Sequence, residues 1–171
     1  MLGINSMRRE LIQCPTQKYG NVIHLKLNSE FRICDYPTVD FMVILNPHNG
    51  PGEPILPDEN YTREIPRLNA LPNVCTIGYV RVNYCKRDLT EVCHDVAKYS
   101  RWEKESKISG LAVHGIFIDE TPNLYDDEKA RYLDTLGRYV KDTSGILGDR
   151  TVSKPGSHYS QIALLITGVF F

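Results

Sequence analysis

The sequence predicts an α/β domain built from β-loop-α units with parallel strands. Two observations carry that reading. Short apolar, β-rich runs recur at Phe41–Leu45, Val74–Val82 and Leu111–Ile118, each followed by a turn-rich or polar stretch and then a segment of helical periodicity. The third run ends abruptly in Asp119-Glu120-Thr121-Pro122, two adjacent carboxylates and a proline. Repeated β-loop-α alternation implies parallel strands with helices outside, joined by right-handed crossovers. Groups at the C-terminal ends of such strands lie where α/β folds assemble their sites.

The elements follow in order. Residues 1–38 read as an irregular N-terminal segment, within which Val22–Leu27 alternates in the manner of a strand. Phe41–Leu45 is the first regular strand and runs into Asn46-Pro47-His48-Asn49-Gly50-Pro51-Gly52, a loop dense in turn residues. Helical signals extend from about Asn60 to Leu71, weakened by Pro66. Val74–Val82 is the second strand, preceded by the turn Pro72-Asn73. Thr90 is the expected N-cap of a helix from Glu91 to about Glu105, with an apolar stripe of Val92, Val96, Tyr99 and Trp102. Ser109-Gly110 closes that unit, and Leu111–Ile118 is the third strand. A helix over Asp127–Lys141, capped by Asp126 or Asp127, carries Ala130, Leu133, Leu136 and Val140 on one face, and Gly145 and Gly148 close it. Thr151-Val152 begins a fourth strand. A β/α barrel and an open doubly wound sheet both fit this pattern.

Composition excludes several classes of function. With 171 residues, 42% hydrophobic and 24% charged, the chain has the make-up of one globular domain with a core. A formal net charge of −1 provides no basic surplus for a phosphate backbone, so nucleic acid is not an expected partner. No apolar run reaches the ~18 residues of a membrane span. No glycine fingerprint follows a strand, so a dinucleotide cofactor has no support, and no cofactor is expected. Cys14, Cys34, Cys75, Cys85 and Cys93 show no CxxC spacing, so no metal site is expected. Cys75 and Cys93 fall in apolar patterns and read as small core residues. Asn60-Tyr61-Thr62 is an N-glycosylation sequon, relevant only in a secreted protein; Met1–Gln13 has no signal-peptide pattern.

All three strands end in polar groups. The first ends in Asn46 and its Gly/Pro loop, with Asn49 and His48. The second provides Tyr79, Arg81, Asn83 and Tyr84, with Arg87 beyond. The third ends in Asp119 and Glu120. Parallel strands bring these groups to one edge of the sheet. Side chains alternate along a strand, so Asp119 and Glu120 point to opposite faces unless the strand has ended. Paired carboxylates beside aromatics and arginines suit glycoside hydrolysis, in which one carboxyl protonates the leaving oxygen and another attacks or activates water. The alternative is that the pair caps a helix or binds Arg81 or Arg87 for structural reasons. His114 reads as a satisfied core histidine, His94 as an exposed helix residue, and Arg101–Lys107 as a solvated charge run. Trp102 reads as core. The Asn46–Gly52 loop lacks the ending of a nucleotide loop and reads as a site wall.

Taken together, Asn46-Pro47-His48-Asn49-Gly50-Pro51-Gly52, Gly78-Tyr79-Val80-Arg81-Val82-Asn83-Tyr84 with Arg87, and Gly115-Ile116-Phe117-Ile118-Asp119-Glu120 resemble the spherulin-4 (spherulation-specific) family of fungi and bacteria. Its pattern looks like NPxSGPG, GYVxTxYxxR and GIFxDE, in this order. Asp95, Tyr99 and Trp102 match the intervening helix. The resemblance runs from about Val39 to Gly156, where Lys154-Pro155-Gly156 looks like an altered NPG turn. It implies a TIM-like (β/α)8 barrel related to glycoside hydrolases that cleave α-1,4-linked N-acetylgalactosamine in a fungal exopolysaccharide. By position, Asp119 and Glu120 match the family's acidic pair. Asn46, Asn49, Tyr79, Arg81, Tyr84 and Arg87 would then line a polysaccharide site, and the location would be extracellular or at the cell surface.

The resemblance also implies further β/α units past Gly156, one with another acidic residue. The chain is therefore read as a truncated, incomplete barrel over residues 39–156, with 157–171 an aberrant apolar tail and an aggregation liability. The alternative is a non-catalytic glycan-binding wall or spore-coat protein. Oligomeric state is not readable from the sequence.

Overall fold

The computed structural model describes the backbone of residues 9–12, 22–29, 33, 38, 40–148, 150–153 and 162–167, with side chains from 33, 38 and 40–148. Cys14, Cys34 and the Lys154–Gly156 turn lie outside the described residues. The chain is α/β. Its strands are β1 (Arg9–Ile12), β2 (Val22–Ser29), β3 (Phe41–Asn46), β4 (Val74–Arg81), β5 (Gly115–Asp119), β6 (Arg150–Ser153) and β7 (Ile162–Thr167), and its helices are α1 (Glu59–Asn69), α2 (Leu89–Ser106) and α3 (Asp127–Asp142).

The strands form one sheet in the order β1-β2-β7-β3-β4-β5-β6. Every pairing is parallel except β1 with β2. β3, β4, β5 and β6 lie side by side in chain order, as right-handed β-loop-α units require. Two segments differ from the sequence expectation. Residues 1–38, read as irregular, contain β1 and β2, and the alternation at Val22–Leu27 belongs to the latter. Ile162–Thr167, read as part of an apolar tail, is β7 and pairs with both β2 and β3. A central parallel strand is covered on both faces and reads as an unbroken apolar run, which a local pattern does not distinguish from a stray tail.

Alternation along the strands divides the core. Phe41, Val43 and Leu45 of β3, Val80 of β4, and Ile116 and Ile118 of β5 join one cluster with residues of all three helices. Met42, Ile44, Ile77 and Tyr79 form a second cluster with Cys75 and Phe117 on the opposite face. The α2 stripe of Val92, Val96, Tyr99 and Trp102 is fully buried, each side chain contributing about 1.5–3 kcal/mol of burial. Trp102 is thereby core, packed against Tyr99 with ring centroids 4.6 Å apart and planes tilted by 59°. On α3 the expected face is buried at Leu136 and Val140 and half-buried at Ala130 and Leu133.

Local chemistry sets the helix ends. Asp88, not Thr90, caps α2: its Oδ1 accepts from the amides of Thr90 and Glu91 at 2.8 and 3.4 Å. Both residue types cap well, and the cap lies two residues earlier than expected. Those amide bonds hold the Asp88 carboxyl below its ordinary pKa. Asp126 caps α3 in the same way through Glu128 and Lys129. The third strand begins at Gly115 rather than Leu111. His114 precedes it, half-buried, with Nδ1 3.3 Å from Thr76 Oγ1, and that hydroxyl also donates to Asn69 Oδ1 of α1 at 2.7 Å.

Candidate functional site

Parallel pairing puts the C-terminal ends of β3, β4 and β5 on one edge of the sheet. The registers are tight: Leu45 opposes Gly78, Tyr79 opposes Phe117, and Arg81 opposes Asp119. Parity then puts Asn46, Tyr79, Arg81, Phe117 and Asp119 on the face away from the helices. On that face the Tyr79 hydroxyl donates to Asp119 Oδ2 at 2.8 Å. Burial, and next the bond to Asp119, push the Tyr79 pKa well above its ordinary value. The phenol therefore stays protonated and stays a donor. Arg81 stands opposite Asp119 and makes no side-chain hydrogen bond or ion pair among the described residues.

Glu120 departs from the strand. Its φ is +56°, so the extended alternation ends at Asp119 and the expectation of two opposed carboxylates does not apply. Asn83, Tyr84 and Cys85 are left-handed as well, at φ +48°, +55° and +64°, as is Asn49 at +53°. Apart from Lys107, every non-glycine residue of positive φ among the described residues lies in the loops after β3, β4 and β5. Each costs on the order of 1 kcal/mol or more, and such strain gathers at functional sites. The loops hold it through backbone bonds: the Val82 amide donates to the Asp119 carbonyl at 3.1 Å, and the Tyr84 amide to the Glu120 carbonyl at 2.7 Å. Tyr84 is thereby tied directly to the acidic pair while its ring stays 53% exposed.

The loop after β3 is a braced wall. Asn46 Oδ1 accepts from the Gly50 amide at 2.9 Å, and the Asn46 carbonyl accepts from the Tyr61 hydroxyl at 3.1 Å. The His48 amide donates to the Gly50 carbonyl, so two loop amides are engaged internally. Lys98 of α2 donates to the carbonyls of Gly52 and Glu53 at 2.8 and 3.1 Å. Asn49 and His48 are exposed at the loop tip.

Arg87 sits differently from the other expected site residues. Its guanidinium meets Asp95 Oδ2 at 2.7 Å and Glu91 Oε2 at 3.5 Å, and reaches the Arg81 carbonyl at 3.3 Å. It ties the end of β4 to α2. Tyr99 of α2 acts below it: its hydroxyl lies 3.1 Å from the Leu45 carbonyl and 2.9 Å from the Tyr79 carbonyl, the last turns of β3 and β4. Sequence reasoning matched Asp95 and Tyr99 to a family pattern without assigning either a task. Their positions on the buried side of α2 explain it.

Among the described residues no group of three His, Cys, Asp or Glu side chains could hold a metal ion, and no helix is long and apolar enough to cross a membrane. Cys85 and Cys93 are free thiols, and Cys75, Cys85 and Cys93 are each half-buried. The sequon residue Asn60 lies in the first turn of α1, where its Oδ1 accepts from Arg63 at 3.1 Å.

The fold has a counterpart among solved structures. The crystal structure of Aspergillus clavatus Sph3 in complex with GalNAc is similar at TM-score 0.70 and 47% identity, over 73% of this chain and 50% of that one. The chain thus spans half the length of that relative. No curated protein matches it. The family model described as spherulation-specific family 4 matches residues 30–167, a span that takes in β3 through β7. The chain belongs to spherulation-specific family 4.

Proposed function

We propose that this chain provides the acidic edge of a glycoside hydrolase site acting on an amino-sugar polysaccharide containing N-acetylgalactosamine. The observation that carries the reading is the Tyr79–Asp119 hydrogen bond at the shared edge of β4 and β5, beside Arg81 and Glu120. The similarity to a protein crystallised with GalNAc supports the sugar class. In the same proposal the β-loop-α units belong to a TIM-like (β/α)8 barrel, and the substrate puts the working site outside the cell or at its surface.

The chemistry follows from the groups. Cleavage needs one carboxyl to protonate the leaving glycosidic oxygen and a second to attack the sugar carbon or to activate water. Asp119 and Glu120 supply this pair. The protonated Tyr79 hydroxyl fixes one Asp119 oxygen as an acceptor and leaves the other for substrate. Glu120 turns out of the strand on a left-handed residue, so the strand's alternation does not govern the pair. Arg81, Asn46, Asn49 and Tyr84 would orient the sugar, with Arg87 holding the wall from behind.

A second reading is a glycan-binding protein without catalysis. It is favoured by one observation: β3 and β4 end on Asn46 and Arg81, so the acidic pair comes from a single strand end. The two are separated by incubating the chain with α-1,4-linked N-acetylgalactosamine polymer and assaying both pull-down and new reducing ends. Hydrolysis gives both signals. Saturable binding with no new reducing ends gives the second reading, and neither signal rejects both.

A further inference from the structure

Among the described residues, four of the seven exposed large apolar side chains share one part of the fold. Ile55, Tyr84, Leu124 and Tyr125, at 60%, 53%, 77% and 85% exposure, all lie in the loops that follow β3, β4 and β5. These are the loops around the acidic pair. Ile108, Tyr139 and Leu147, elsewhere on the surface, are less exposed than Leu124 and Tyr125. A tyrosine that exposes most of its ring forgoes apolar burial, and a cluster of such residues marks a recognition surface.

Tyr125 is also held in place. Its hydroxyl donates to Asp127 Oδ1 at 2.8 Å, and the next residue, Asp126, caps α3. The polar tip is thus satisfied by the helix start while the ring remains open to solvent. This arrangement suits stacking against a flat, weakly apolar partner, as an exposed aromatic ring does when its hydroxyl is engaged. Between Glu120 and Tyr125 the chain advances five residues, so the two lie no more than about 17 Å apart, within one polysaccharide strand's reach of each other.

We infer that the β5–α3 loop forms a distal subsite, in which the ring of Tyr125, flanked by Leu124, stacks on a sugar of the polysaccharide other than the one at Asp119 and Glu120. The inference rests on the sugar reading of that site and adds to it that the ligand is a strand, gripped away from the reacting bond. Charge is consistent with a neutral occupant: Asp126 and Asp127 beside the ring are engaged with α3 amides and the Tyr125 hydroxyl, and no cationic cluster for an anionic chain lies on this loop.

The test uses the full 171-residue chain, with N-acetylgalactosamine and its α-1,4-linked oligomers up to the hexamer as probes in calorimetric titrations. Wild type, Tyr125→Ala and Tyr125→Phe are compared, with a thermal melt to establish folding. The hexamer-to-monomer affinity ratio should fall about fivefold in Tyr125→Ala and be largely restored in Tyr125→Phe, which keeps the ring. A ratio unchanged in Tyr125→Ala, with wild type binding both probes, overturns the distal subsite alone. Wild type binding neither probe overturns the sugar reading and the subsite with it.

Discussion

The Tyr79 hydroxyl donates a 2.8 Å hydrogen bond to Asp119 Oδ2 across two neighbouring parallel strands. The two residues are 40 positions apart in the chain. The bond exists because β4 and β5 pair with Tyr79 opposite Phe117 and Arg81 opposite Asp119, which brings the tyrosine tip level with the carboxylate at the strand end. Removing it by Tyr79→Phe keeps the ring against Phe117, 6.1 Å centroid to centroid. Reducing-end release should fall by about tenfold or more, because an oriented donor is lost at the reacting edge. Stability should change by only about 1 kcal/mol, the net worth of one hydrogen bond. Chemical denaturation and turnover measured on the same preparation check the split.

Gly78→Ala should be severe for a different reason. A Cβ at Gly78 would lie 2.9 Å from the Tyr99 ring, which is fully buried and whose hydroxyl bridges the Leu45 and Tyr79 carbonyls. The ring has no room to retreat, so overpacking should cost about 1–3 kcal/mol and displace the end of β4. Urea denaturation reads the loss, and a Gly78→Ala chain as stable as wild type would contradict this packing.

Arg87 and Asp95 form a pair at 2.7 Å that is largely but not fully shielded, with 21% and 16% of the side chains exposed. Arg87→Met and Asp95→Asn should each destabilise by about 1–2 kcal/mol, since each leaves a partner charge half-buried. The double variant should lose less than the sum, with a coupling of about 1 kcal/mol. Strict additivity would mean that the contact does not hold α2 to β4.

Buried tyrosines give the protein an alkaline limit. Burial raises the pKa of Tyr79 and Tyr99, and pushes that of Tyr132 up to about 12. Unfolded tyrosines release their protons near pH ~10. Below that both states keep these protons and the groups leave stability unaffected. As pH rises from about 10 to about 12 the unfolded chain releases protons that the folded chain retains, so unfolding becomes easier. Urea midpoints measured from about pH 9 to about pH 11 should be level at first and then decline. A midpoint that holds steady or rises through the alkaline range would contradict the burial of these hydroxyls.

Local pattern and tertiary pairing divide what the sequence reveals. Strands β3 and β4 are legible as short apolar runs bounded by turn or polar residues, and the α2 stripe of Val92, Val96, Tyr99 and Trp102 because its burial repeats at the helix period. The acidic end of β5 is legible because an apolar run stops there. What is not legible depends on distant partners. Ile162–Thr167 becomes a strand only through its parallel neighbours β2 and β3, far away in the chain. Arg87 reads as a free site cation until α2 brings Asp95 to it. The left-handed run Asn83-Tyr84-Cys85 carries no glycine and so no local signal; backbone bonds to Asp119 and Glu120 hold the turn. Glu120 is left-handed at φ +56°, so the strand has ended there and the alternation that would oppose it to Asp119 does not apply.

The most direct test of the acidic pair is the release of reducing ends from α-1,4-linked N-acetylgalactosamine polymer by wild type and by Glu120→Gln, at matched folding by circular dichroism. Wild type should release reducing ends measurably, and Glu120→Gln should lose about a thousandfold or more of that release while retaining polymer binding. Equal release by the two proteins would contradict a role for Glu120 in the chemistry.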